Sequence, residues 1–265
     1  MHFSSAYLLV SHGSRDPRPQ IALEHLAQLV TQRLRESTPI HLGAGHVLER
    51  TPLVGTAVLE LAPLPLHQQI QQFAEQAMLC GYETIDIVPL FLLAGVHVME
   101  DIPAEVRIAQ QQLQNAQKNI QIHVRMHLGS QEQLWQLLIN PVEPMTTDPQ
   151  SGKVVVSHGS RRAEGNLVIE QIAAQIGALP AYWSVAPSLE TQVTELIKRG
   201  YQQIAILPYF LFEGGITDAI GQTVEHLKGQ FPYAQLHFSR PIGATSALAD
   251  QAFELMTRST PQKLR

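Results

Sequence analysis

Along the first half of the chain, short apolar runs alternate with longer segments whose apolar residues recur three and four positions apart. The first pattern predicts a buried strand and the second an amphipathic helix. Strands are expected over 7–11, 57–61, 84–90 and 120–125. Helices are expected over 19–35, where Ile21, Leu26, Leu29, Val30 and Leu34 mark one face, then over about 66–80, 105–117 and 131–139. Gly81 stops the second helix. Apolar strands alternating with helices predict an α/β fold: a parallel sheet of about four strands, flanked by helices on both faces. In such sheets ligands gather outside the carboxyl ends of the strands.

The second half repeats this order. Val10-Ser11-His12-Gly13-Ser14-Arg15 returns as Val156-Ser157-His158-Gly159-Ser160-Arg161, shifted by 146 residues. Ala62-Pro63 returns as Ala186-Pro187, shifted by 124. Gly81-Tyr82 and Pro89-Leu90-Phe91-Leu92 return as Gly200-Tyr201 and Pro208-Tyr209-Phe210-Leu211, shifted by 119. Leu128-Gly129 returns as Ile242-Gly243, shifted by 114. An unchanged order with a shrinking offset predicts internal duplication, with much of the extra length of the first copy between about 38 and 69. Residues 140–152 carry three prolines among Thr, Asp and Gly, which suits neither a helix nor a paired strand. The expected organisation is an N-terminal lobe 1–140, a linker 141–152 and a C-terminal lobe 153–265.

Composition narrows the function. Charged residues are 15% of the 265, below the usual share of roughly 25%, and the net charge is −5. That balance argues against a surface built for nucleic acid phosphates or an anionic membrane. The one cysteine, Cys80, excludes an internal disulfide and an iron–sulphur cluster. No signal-like start is present, and the longest apolar run, 87–99, is broken by Pro89 and His97. A span needs about 20 apolar residues, so a soluble, cytoplasmic protein is expected.

Three residues with ligand chemistry follow strands in the first copy: His12 after the first, Glu60 at the end of the second, and His97 beyond the third. Two imidazoles and a carboxylate can hold a divalent transition metal with positions left open, and can also accept protons. Most of the 12 histidines carry no such case. His2, His25, His67, His226 and His237 read as surface or structural, and His41 and His46 as parts of a solvated loop. The second copy keeps His158, but Ser184 stands where Glu60 would and Ile216 where His97 would. One competent site, in the first lobe, is therefore expected. The His-Gly-Ser turns lack the preceding arginine of a histidine phosphatase, the Gly-x-Ser-x-Gly of a serine hydrolase and the Gly-Lys-Ser/Thr of a P-loop.

Leu9-Val-Ser-His-Gly-Ser-Arg15, Val58-Leu-Glu60 with Ala62-Pro63, and Val88-Pro-Leu-Phe-Leu-Leu-Ala-Gly-Val-His97 resemble the class II tetrapyrrole chelatases of the CbiX/SirB type. The resemblance spans nearly the whole chain. It implies a bilobal chelatase fold with the macrocycle in the cleft between lobes. It implies insertion of a divalent metal into sirohydrochlorin for siroheme or cobalamin synthesis, with His12 and His97 binding the metal and Glu60 assisting. Some cobalt members carry a histidine-rich or cysteine-containing tail; this chain ends Pro261-Gln-Lys-Leu-Arg265, which favours Fe2+, with Co2+ next. The metal is then a substrate, and no organic cofactor is expected. Ser14, Arg15, His158, Ser160 and Arg161, with Arg162, are the candidates for holding the substrate carboxylates. The backbone N–H groups of Gly13-Ser14 and Gly159-Ser160, read as opening helices, are further candidates. Duplicated lobes favour a monomer. The rival reading is a non-catalytic bilobal carrier of a tetrapyrrole or metal.

Overall fold

A computed structural model describes residues 5–37, 51–139 and 151–258. Two compact units emerge, Met1–Gln131 with Ala244–Arg265, and Glu132–Gly243.

In the first unit the strands are β1 (Ser5–Ser11), β2 (Val54–Val58), β3 (Thr84–Pro89) and β4 (Gln121–Val124). They form one parallel sheet in the order β2-β1-β3-β4. Side chains alternate between the faces of a strand. Ala6, Leu8, Val10, Ile85, Ile87, Ile122 and Val124 face one way, into a core with helices α2 (Leu66–Leu79) and α3 (Ile102–Asn115). Helix α1 (Pro17–Glu36) packs against β1 and β2 and buries Leu23, Leu26, Val30 and Leu34.

The second unit repeats the plan. Strands β5 (Ser151–Ser157), β6 (Leu179–Tyr182), β7 (Gln203–Pro208) and β8 (Gln235–Phe238) run parallel in the order β6-β5-β7-β8. A single helical turn, α4 (Gln136–Ile139), precedes them, and α5 (Leu167–Gln175), α6 (Leu189–Lys198) and α7 (Gly215–Gln230) connect them. Each expected sheet is therefore present, with the expected strand count.

Three boundaries differ from the sequence reading. The last helix, α8 (Ser246–Arg258), belongs to the first unit and not to the 153–265 lobe. It lies along α1, where Arg33 Nε meets Asp250 Oδ1 at 2.6 Å and the Arg33 guanidinium sits 5.2 Å from the centre of the Phe253 ring. The short α4 goes to the second unit, so the first lobe closes before 140. An amphipathic helix states only that one face must be covered, and α1 offered α8 the apolar partner. Ser151 and Gly152, assigned to the linker, begin β5 and pair with Gln203 and Ile204. The rest of that linker, 141–150, and the loop histidines His41 and His46 lie outside the described residues. Among the described residues no helix is long and apolar enough to cross a membrane.

Candidate metal centre

The site forms where the first sheet's strands end. Strand β1 stops at Ser11, leaving His12 as the first residue beyond it. Strand β2 ends at Val58, earlier than expected, so Glu60 lies two residues past it in a turn. The chains nevertheless stay in step: Leu59 N–H donates to Ser11 O and Glu60 N–H to His12 O, both at 2.9 Å. This close approach needs Gly13. Its φ is +101°, and a Cβ there would lie 2.0 Å from Glu60 O. Leu61, next to Glu60, holds φ at +61°, a left-handed conformation that only the surrounding turn sustains.

His97 arrives from the third strand. Leu90 N–H donates to Val10 O at 2.7 Å, which ties the exit of β3 to β1. The loop then folds back so that Gly129 N–H reaches Phe91 O at 2.9 Å, and His97 opens a π-helical turn, His97–Asp101, that runs into α3. The helix expected from about 105 thus starts eight residues earlier, counting from the π turn at 97.

One ligand atom from each of His12, Glu60 and His97 lies within 4.8 Å of the others. Ligands about 2.0–2.2 Å from one ion stand roughly 3–4 Å apart, so small side-chain rotations close the set. The two imidazole rings stand edge to face with centres 4.8 Å apart, and Phe91 packs beside both at 6.4 and 6.1 Å. His12 Nδ1 lies 3.3 Å from Gly13 O, and His97 Nδ1 lies 2.7 Å from Asp101 Oδ2. A carbonyl or carboxylate oxygen only accepts, so the neutral tautomer that satisfies these contacts has its proton on Nδ1, and that tautomer leaves the Nε2 lone pair free. His12 and Glu60 are exposed and His97 is half-buried. The arrangement can take an ion from solvent and leave coordination positions facing outward.

The second unit reproduces the frame without the donors. Trp183 N–H donates to Ser157 O and Ser184 N–H to His158 O, both at 2.9 Å, which makes Ser184 the structural counterpart of Glu60. Tyr209 N–H donates to Val156 O at 2.8 Å, as Leu90 does to Val10, and the same offset of 119 makes Ile216 the counterpart of His97 in the repeat. His158 is exposed at the end of β5.

The residues expected to hold substrate carboxylates are placed unevenly. Ser14, Arg15 and Arg161 are exposed just beyond β1 and β5, and Ser160 is half-buried. The helix N-termini expected at Gly13-Ser14 and Gly159-Ser160 are not there. Helix α1 begins at Pro17 and is capped by Asp16, whose Oδ1 accepts from Arg18 N–H at 2.9 Å. Hydrogen bonds from Arg18 hold that carboxyl below its ordinary range. Ser160 N–H donates to Asn166 Oδ1 at 2.8 Å, and Ser160 Oγ accepts from Arg162 N–H at 3.1 Å. Short polar side chains in these turns satisfy the backbone locally. The sequence reading also missed Asp101, although its position four residues after His97 was a visible signal.

The CbiX family model matches this chain over residues 6–144 and 152–259. The sirohydrochlorin ferrochelatase of Priestia megaterium is 25% identical over 186 residues, covering 66% of this chain and 67% of that protein. The sirohydrochlorin cobaltochelatase of the same organism is 23% identical over 238 residues, covering 86% and 71%. Among solved structures, SirB from Bacillus subtilis with Fe3+ superposes with a TM-score of 0.72 at 21% identity, covering 96% of this chain and 94% of that one. With both repeats matched and both sheets in the same fold, the chain belongs to the CbiX family.

Proposed function

We propose that this protein is a sirohydrochlorin chelatase, an enzyme that inserts a divalent metal into the macrocycle, with Fe2+ preferred and Co2+ next. The observation that carries the reading is the convergence of His12, Glu60 and His97 at one sheet edge in a member of a family whose named relatives are sirohydrochlorin chelatases. The metal enters as substrate. The two Nε2 atoms replace part of its water and leave positions for pyrrole nitrogens. As the ion moves to the ring, Glu60 or a released imidazole accepts the pyrrole protons. The exposed apolar side chains Leu61, Val96 and Met99, next to or within two residues of the ligands in sequence, suit the face of a macrocycle. Arg15, Arg161, Ser14, Ser160 and His158 suit its carboxylates. The second unit, with Ser184 and Ile216 at the ligand positions, serves substrate binding.

The test is anaerobic turnover of sirohydrochlorin, followed by its absorption spectrum, with protein far below substrate and Fe2+, Co2+ or Ni2+ supplied. Full conversion with wild type, and loss by orders of magnitude in folded His12→Ala and His97→Ala, is expected. A spectral change that stops at one equivalent of protein would make the molecule a carrier. Normal rates in both variants would remove the metal assignment.

A further inference from the structure

The internal repeat contains its own control for the helix that carries His97. Up to the start of that helix the two copies are offset by 119: Pro89 matches Pro208, and buried Val98 matches buried Thr217. Beyond it the buried faces match at an offset of 118. Ile102, Val106 and Ala109 of α3 stand for Ile220, Val224 and Leu227 of α7. The first copy therefore holds one extra residue, and it falls in the π-helical turn His97–Asp101, where Ile102 N–H donates to His97 O. Such a turn is an α-helix widened by a single residue.

The widening has a chemical consequence. In α7 the residue four after Ile216 is Ile220, which fills the core. In a regular helix the residue four after His97 would occupy that same slot, and a carboxylate there would be buried among apolar side chains. The inserted residue moves Ile102 into the slot, fully buried, and leaves Asp101 partly exposed with Oδ2 2.7 Å from His97 Nδ1. Where the ligand is absent, in the second copy, the insertion and the carboxylate are absent too.

We infer that Asp101 is a positioning residue: it holds His97 in the tautomer and orientation that present Nε2 to the metal, and the π-helical turn exists in this copy to place it. This rests on the reading of His97 as a metal ligand. A carboxylate behind a ligating imidazole fixes the ring and raises its basicity, and its loss typically costs 10–100-fold in affinity.

The test is anaerobic Co2+ titration of the whole chain, read by calorimetry and by the visible absorption of bound cobalt, for wild type, Asp101→Ala, Asp101→Asn, His97→Ala and the double variant. Asp101→Ala is expected to weaken binding 10–100-fold and alter the cobalt spectrum. Asp101→Asn, whose amide oxygen still accepts from Nδ1–H, is expected to recover part of the affinity and, being nearly isosteric, guards against a folding defect. In the His97→Ala background, Asp101→Ala should cost nothing further. Wild-type affinity and spectrum in Asp101→Ala, with His97→Ala impaired, would overturn the inference alone. So would an equal loss in both backgrounds, which would make Asp101 act independently of His97. Unchanged binding in His97→Ala would instead overturn the reading beneath it.

Discussion

Substituting Gly13 by alanine tests whether the close approach of the β1 and β2 exits builds the site. The added Cβ would sit 2.0 Å from Glu60 O and 3.4 Å from Val58 Cβ, at a φ of +101°. The backbone strain of an alanine in the positive-φ region costs about 1–2 kcal/mol. Relief of the clash by shifting the Glu60 turn costs about 1–3 kcal/mol more, as for overpacking elsewhere. The expected loss is about 2–5 kcal/mol, a large share of an ordinary domain's stability of roughly 5–15 kcal/mol. Gly200→Ala separates the two contributions, because Gly200 has φ +93° but nothing within 4 Å of the point an added Cβ would occupy. It should show the strain alone. Urea unfolding gives both losses, and Co2+ titration reports whether His12 and Glu60 still converge. If Gly13→Ala costs no more than Gly200→Ala and binds Co2+ like wild type, the approach of these two turns is not what forms the metal centre.

Two further outcomes follow from polar groups in the first unit, buried Asp86 and half-buried His127. Asp86, fully buried in β3, is held by Arg125 Nη2 at 2.9 Å, with His123 Nδ1 3.5 Å from its other oxygen; Arg125→Met leaves the carboxylate with the more distant imidazole alone and should cost up to about 3–5 kcal/mol in urea unfolding, and a loss below about 1 kcal/mol would show that the pair does not hold the sheet. Burial lowers the pKa of His127, so below the ordinary histidine value near 6.5 the unfolded chain binds the proton more readily than the folded one. Stability from this group is complete above that value and is lost as pH falls through the lowered one. His127→Gln should therefore flatten the fall in melting temperature as pH drops below the ordinary histidine value, and parallel curves for variant and wild type would contradict the role of burial.

Much of the architecture was legible because its causes are local. Tyr7–Ser11 and Thr84–Pro89 lie within predicted apolar runs since parallel strands are buried on both faces and leave little room for polar residues. The repeated His-Gly-Ser turns matched residue for residue, and the Ala-Pro and Pro-x-Phe-Leu repeats already set Ser184 and Ile216 in the places of Glu60 and His97. That these three residues share a sheet edge was readable as well, because strand ends of a parallel sheet must point the same way. Their approach within 4.8 Å was not. It depends on Gly13 lying against Glu60 O, a contact between residues 47 positions apart in sequence, and on the loop that Gly129 anchors to Phe91.

Tertiary structure alone decided three matters. Helix α8 packs on α1 although it follows the second repeat, because an apolar stripe specifies that it must be covered and not which neighbour covers it. The π-helical turn escaped the periodicity, because Val98 and Ile102 are four apart, a spacing that an unbroken α-helix also permits. Asn166 claimed the Ser160 amide assigned to substrate, and Asp16 capped α1 at Arg18, beyond the Gly13-Ser14 turn, since a nearby short polar side chain competes for such amides at no cost in chain closure beyond the turn itself. Sequence determined the repeat, the sheets and the identity of the ligand candidates; packing determined how closely those candidates meet and what stands behind them, because both depend on contacts between residues that the local pattern does not relate.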